Sequence, residues 1–266
     1  MREYAVDTEG KGGEGRGGFP ETRWSAIVAA RSADAAERTR ALDTLLSAYW
    51  KPIYKYIRLR WGKTPEDAQD LTQEFFSRLV ERDLLGGYDP ARARLRTFLR
   101  VCVDHLAANE GRDEARQKRG GGAVHLSLDF AAADGELKQI DPAVPAEMEE
   151  FFEREWARSV FSAGVERLRA ELDARGKSVC YRIFERYDLV DALPDAPDRR
   201  PSYQELGREF NVSATDVTNY LAFARREFRR IVLDFLREMT SSEEEFRREA
   251  RSLLGREPPA VDGKNK

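Results

Sequence analysis

Carboxylates at helical spacing are the first residues with chemical potential in this sequence. Asp67, Asp70 and Glu74 recur at i, i+3 and i+7 within residues 64–84, so a helix puts all three on one face, with Gln73 beside them. Paired carboxylates suit acid–base catalysis, yet these stand a helical turn apart with no histidine, lysine or nucleophile completing a site. A polar docking face fits the spacing better. Zinc chemistry would need both cysteines, Cys102 and Cys180, and both histidines, His105 and His125, from far-apart positions. Cys102, inside the apolar run 98–103, reads as a buried thiol. Two glycine motifs also fail: the run at 10–18 lacks a strand before it and a helix after it, and Gly176-Lys177-Ser178 has Glu171 where a phosphate loop needs glycine. No catalytic residue, metal or cofactor is expected, and the chain reads as a non-enzyme.

Residues 201–221 carry a sharper pattern. Ser202 can cap a short helix, Asn211 suits a left-handed turn position, and Ser213 with Asp216 forms a capping box that starts a longer helix. Leu206, Val212, Val217 and Leu221 are spaced to pack the two helices at a steep angle, which is a helix-turn-helix pattern. In such a unit the second helix offers its early residues to base edges, making Thr215, Thr218, Asn219 and Ala222 the reading face. Arg225 and Arg226, with Arg229 and Arg230 beyond them, are then available to phosphates. The bland alternative is a helical hairpin with a solvated arginine face.

A third set lies at 94–119, where Arg94, Arg96, Arg100, Arg112, Arg116, Lys118 and Arg119 are interleaved with Phe98 and small polar groups. Cations that follow a phosphate backbone, next to a surface that holds unstacked bases, are what single-strand binding requires. Phe98 at helical spacing is equally the mark of a core residue.

The elements that must position these residues are helical almost throughout. Trp24, Ile27 and Val28, then Leu42, Leu45, Leu46 and Tyr49, recur at helical spacing, and strand-like alternation is nearly missing. Thr64 is an expected N-cap with Asp67 closing its box and Pro65 in the first turn; Leu71, Phe75 and Leu79 line the side opposite the carboxylates. Turn residues at 86–90 precede a helix over roughly 92–114. The expected fold is all-α, with two helical domains joined by an acidic linker: a tail at 1–20, a first domain at 21–120, the linker at 121–150, a helix-turn-helix domain at 151–239 and an extension at 240–266. In that extension, residues 240–242 read as the cap of a short amphipathic helix, with a phosphorylation switch as the sharper alternative.

Charge sharpens this division. The 266 residues carry 45 Lys+Arg against 48 Asp+Glu, a net of −3, which taken whole argues against nucleic acid. Along the chain it is uneven. Residues 129–155 hold nine acidic groups against Lys138 and Arg154, a net of −7, while 199–237 hold eight arginines against five acids, a net of +3. The acidic stretch reads as a solvated, self-repelling spacer; the sharper alternative is a segment that mimics nucleic acid inside the free protein. No apolar run approaches the roughly 20 residues needed to span a bilayer, and the amino terminus has no apolar signal core, so a cytoplasmic protein without membrane insertion is expected.

In this order, the segments 49–57, 65–76, 98–112 and 201–221 resemble sigma factors of bacterial RNA polymerase, in particular the two-domain extracytoplasmic-function type. Asp70-Leu71-Thr72-Gln73-Glu74-Phe75-Phe76 is the specific part; the likeness covers about residues 24–119 and 155–238. The resemblance implies that Asp67, Asp70, Gln73, Glu74 and Phe76 dock core RNA polymerase. It implies that Arg96, Thr97, Phe98, Arg100, His105, Arg112 and Arg116 melt and hold the minus-10 element of promoter DNA. Thr215, Thr218, Asn219, Ala222, Arg225 and Arg226 would then meet the minus-35 element, and an anti-sigma factor or a Ser/Thr kinase would be the regulating partner. The chain departs from the family at Phe98, where tryptophan is usual, and at His105, where asparagine is common. It also has Thr218, Tyr220 and Phe223 where basic residues often stand, so Tyr220 and Phe223 would instead extend a protein–protein face. The other reading is a helix-turn-helix regulator that does not bind core polymerase as a sigma factor.

Overall fold

A computed structural model of the chain describes residues 34–81, 84–113, 128–137, 147–189, 199–240 and 242–255. Every regular element among the described residues is helical, as the periodicity predicts. In chain order these are α1 (Ala35–Arg60), α2 (Pro65–Glu81), a 3-10 turn (Leu84–Gly87), α3 (Leu95–Asp113), α4 (Phe130–Leu137), α5 (Met148–Ala174), α6 (Ser178–Asp188), α7 (Tyr203–Phe210), α8 (Ala214–Glu238) and α9 (Glu243–Leu254).

Side-chain caps set many of the boundaries. The Asp34 carboxylate accepts from the Ala36 and Glu37 amides at 2.8 and 3.1 Å and opens α1. Thr64 Oγ1 accepts from the Asp67 amide at 3.1 Å, the expected cap at the start of α2, while the Asp67 carboxylate accepts from the Thr64 hydroxyl at 2.8 Å instead of completing the reciprocal backbone half of the box. Ser242 accepts from the Glu245 amide at 3.1 Å and starts α9 where a cap was expected. Pro52 lies inside α1 and removes one ladder donor, yet the helix runs through it. Ile53, Tyr54 and Ile57, all fully buried, anchor the turn that follows.

Helices α1 and α5 pack against each other. Tyr49 stacks on Trp156 with centroids 6.5 Å apart, and Tyr56 meets Phe152 edge-on at 5.6 Å. Deeper along α5, Gly164 lets α8 approach: a Cβ there would stand 3.1 Å from the Phe228 ring and 3.2 Å from Val232. Phe228 also packs on Phe161 and Phe184, which ties α5, α6 and α8 together. The buried residues of both halves form one continuous apolar cluster, running from Leu45 and Ile57 through Phe152 and Trp156 to Leu236 and Phe246.

The acidic stretch differs from the expected solvated spacer. Its described part contains α4, whose Phe130, Ala133 and Leu137 are buried and whose Phe130 ring sits 5.6 Å from Trp50 and 5.1 Å from Tyr54. Its carboxylates reach back to α1 and α3. Asp134 accepts from Arg58 at 2.9 Å, and Glu136 pairs with Lys51 at 2.8 Å and Lys55 at 2.6 Å. Glu155 meets Lys55 at 2.5 Å, and Glu153 meets Arg96 at 2.5 Å. A run of like charge repels itself only while it lacks partners, and here the basic stripe of α1 and the arginines of α3 supply them. The rest of that stretch, at 138–146, lies outside the described residues, as do the tail at 1–20 and the expected helix around Trp24.

Candidate functional site

The α7–α8 pair is built closely to its sequence pattern. Ser202 Oγ accepts from the Glu205 amide at 3.3 Å while the Glu205 carboxylate accepts from the Ser202 amide at 2.7 Å. Ser213 and Asp216 repeat this reciprocal box at the start of α8, at 3.0 and 3.1 Å. Between the helices Asn211 adopts the left-handed conformation with φ 53°, and the Val212 amide donates to the Gly207 carbonyl at 2.9 Å. Gly207 is required for a steric reason: a Cβ would lie 2.8 Å from the Val212 carbonyl oxygen. Leu206, Val217 and Leu221 are buried between the helices, and Val212 is half-buried.

With that side committed to packing, Thr215, Thr218, Asn219, Ala222, Arg225 and Arg226 are all left exposed on α8. Their roles differ. Thr218 donates its hydroxyl to the Ala214 carbonyl at 3.1 Å, whereas Arg225 is held by a two-point pair with Asp188, both contacts at 2.8 Å, beside the Tyr187 ring. Arg226 extends outward over Phe223. Farther along, Arg230 is occupied by Glu171 at 2.5 Å and Asp234 at 3.0 Å, so it serves the α5–α8 packing. Tyr220 and Phe223 are half-buried rather than fully presented. At the head of the unit, the Arg199 guanidinium and the Ser202 amide hold the exposed Glu205 carboxyl down at about 2. Asp216 is lowered by Ser213.

On α2 the carboxylate face is present but narrower than expected. Asp67 and Asp70 are exposed, and Glu74 is partly exposed with Arg78 paired to it. Gln73 and Phe76, expected on the docking surface, are 9% and 4% exposed. The reason is geometric: α2 is flanked by α1 on one side and by α3, α4 and the 3-10 turn on others, so its buried arc is wider than a single stripe. Phe76 packs edge-on against Phe75 at 5.3 Å within that arc.

Among the described α3 candidates, Arg96 is the most enclosed. Arg96 is only 2% exposed; its Nε donates to Glu153 at 2.5 Å, its Nη1 to Glu249, and its guanidinium lies 4.4 Å from the centre of the Trp156 ring. Burial works against its charge, but Glu153 and Glu249 more than offset that, and its pKa is raised. Arg100 is half-buried, 3.3 Å from Glu149 and 3.8 Å from Asp104. Phe98 is half-buried against Tyr88, with centroids 5.5 Å apart, and Thr97 is half-buried. His105 is exposed. Arg112 falls within α3, while Arg116 and His125 lie outside the described residues.

Sequence reasoning missed the contribution of α9 to this region. Tyr88 donates to Glu245 at 2.6 Å, and Phe246, 2% exposed, lies under the Arg237 guanidinium at 4.4 Å. The available signal was the amphipathic spacing of Glu245, Phe246, Glu249 and Ala250, all of which are buried. The Cys102 thiol is half-buried and pushed up to about 11 by burial, in keeping with its bland reading. No group of histidine, cysteine and carboxylate side chains among the described residues is arranged to hold a metal ion. No described helix is long and apolar enough to cross a membrane. No protein-family model matches the chain, and neither a curated protein nor a solved structure matches it.

Proposed function

We propose that this chain is a sigma-type initiation factor that binds core RNA polymerase and directs it to promoter DNA. The observation that carries the DNA-binding half of this reading is the α7–α8 unit. Two reciprocal capping boxes and the Gly207–Val212 close approach fix one helix on another, leaving Thr215, Thr218, Asn219 and Ala222 outward with Arg226 beside them. In the groove, Thr and Asn hydrogen-bond base edges while Arg226 meets phosphate. Arg225 would first have to leave Asp188.

The polymerase-binding half rests on the resemblance at residues 65–76, supported by the exposure of Asp67 and Asp70 on a capped helix. In this reading residues 21–120 and 151–239 act as two modules that separate on the polymerase, and the protein itself makes and breaks no covalent bond. It works in the cytoplasm, and an anti-sigma factor or a Ser/Thr kinase acting near Ser242 is the regulator. The burial of Gln73 and Phe76 favours the second reading, a helix-turn-helix regulator that binds duplex DNA alone.

Run-off transcription with purified core enzyme on a genomic promoter library separates the two. Initiation at a restricted set of promoters, weakened by Asp70→Ala, is the expected result. Folded protein that initiates nowhere but binds duplex DNA on its own would establish the regulator instead.

A further inference from the structure

The first turns of the α3 face that the sigma reading assigns to single-stranded promoter DNA are paired with the chain's own carboxylates. Arg96 lies between Glu153 of α5 and Glu249 of α9, and Arg94 reaches the same two residues at 3.9 and 3.5 Å. One turn along, Arg100 reaches Glu149 of α5. Carboxylates and phosphates use the same guanidinium donors, so a nucleic-acid strand can engage Arg96 only by displacing them. Docking of α9 also covers the approach from the 3-10 turn, through Tyr88–Glu245 and the buried Phe246.

The closure is imperfect in a telling way. Arg96 Nη2 is a buried donor without a hydrogen-bond partner, and Glu249 Oε1 has only the 3.5 Å approach of Arg94 Nε. The attraction within a buried ion pair offsets the desolvation of its charges only when the remaining donors and lone pairs are also satisfied, so this pair holds less firmly than a fully bonded one. We propose that Glu153 and Glu249 form an intramolecular carboxylate latch that keeps the Arg96 face of α3 closed to single-stranded nucleic acid in the free chain, and that both α9 and the Glu153 end of α5 must release Arg96 before that face is used.

This inference rests on the reading of α3 as a base-capturing segment, and the test separates the two. Deleting α9 is a poor probe, because Arg247, Arg248 and Arg251 would go with it. Glu153→Gln combined with Glu249→Gln in the full chain removes the competing charge at unchanged side-chain length and leaves the Arg96 guanidinium without a carboxylate. Glu249→Asp, which keeps the charge on a shorter side chain, is a milder second variant should the first fold poorly by circular dichroism.

Two readouts are needed: amide hydrogen exchange at 95–104 and 243–254, and anisotropy of a labelled single-stranded oligonucleotide at fixed low salt. The expected result is faster exchange in both segments with binding tighter by about tenfold, since a closed majority state lowers apparent affinity by the open fraction. Adding Arg96→Ala should abolish the gain. Unchanged exchange in both variants overturns the latch and leaves the sigma reading to the run-off experiment. Faster exchange without tighter binding overturns the gating role and also removes α3 from nucleic-acid recognition.

Discussion

Replacing Lys55 with methionine tests whether the acidic stretch is held as part of the fold. Lys55 is 1% exposed, with its ammonium 2.5 Å from Glu155 and 2.6 Å from Glu136. Methionine keeps most of the stem volume and removes the charge. At an effective dielectric constant of about 20, a pair at this distance attracts with about 7 kcal/mol before desolvation is counted. The net loss is smaller, because Glu136 is 46% exposed and rehydrates, whereas Glu155 at 3% does not. Breaking a buried pair costs about 3–5 kcal/mol, and the surviving contact of Glu155 with Arg158 at 2.5 Å puts the expectation near the lower end. For a chain of this size, that lowers Tm by about 6–12 °C, read by calorimetry and by the urea midpoint. Combining Lys55→Met with Glu155→Leu removes the stranded carboxylate and should recover stability to within about 1 kcal/mol of the parent. A single variant within about 0.5 kcal/mol of the parent, or a double variant as damaged as the single, would refute the assignment of a buried ion pair.

Gly207→Ala places a methyl group 2.8 Å from the Val212 carbonyl oxygen, a backbone atom that can yield only by shifting the turn. A loss of about 1–3 kcal/mol is expected. Faster exchange of the Val212 amide, which donates to Gly207, should accompany it, and an unchanged amide would show that the turn tolerates the methyl. The Glu205 carboxyl, whose ordinary value is 4.5, should titrate at about 2 in carbon-detected NMR and move up in Arg199→Ala. Because its folded value is depressed, its contribution to the α7 cap is complete above the unfolded value and fades as pH falls toward 2. A titration near 4.5 in the parent protein would contradict the Arg199 and Ser202 contacts.

Local chemistry was legible in the sequence, while long-range pairing was not. Thr64, Ser202, Asn211, Ser213 and Ser242 each occupy the cap or turn position expected of them, because capping depends on residues two or three positions away. The outward residues of α8 followed from the same periodicity. Phe76 and Gln73 did not, since one-face reasoning assumes one packing partner and α2 has several. The acidic stretch departs from the solvated-spacer reading for a related reason: Glu153 and Glu155 acquire partners 57 and 100 residues away. Charge arithmetic along the chain recognises surplus, but not where that surplus is matched in space.

The contact between Arg96 and Glu249 joins residues 153 apart in the chain, and its acidic member sits on the last described helix. At about 5–20 residues per second, a ribosome needs roughly 8–30 s after making Arg96 to make Glu249. Throughout that interval the emerging chain carries an α3 arginine whose second carboxylate does not yet exist. The order of synthesis therefore gives the growing polypeptide a transient surface that is withdrawn once α9 has been made and has docked.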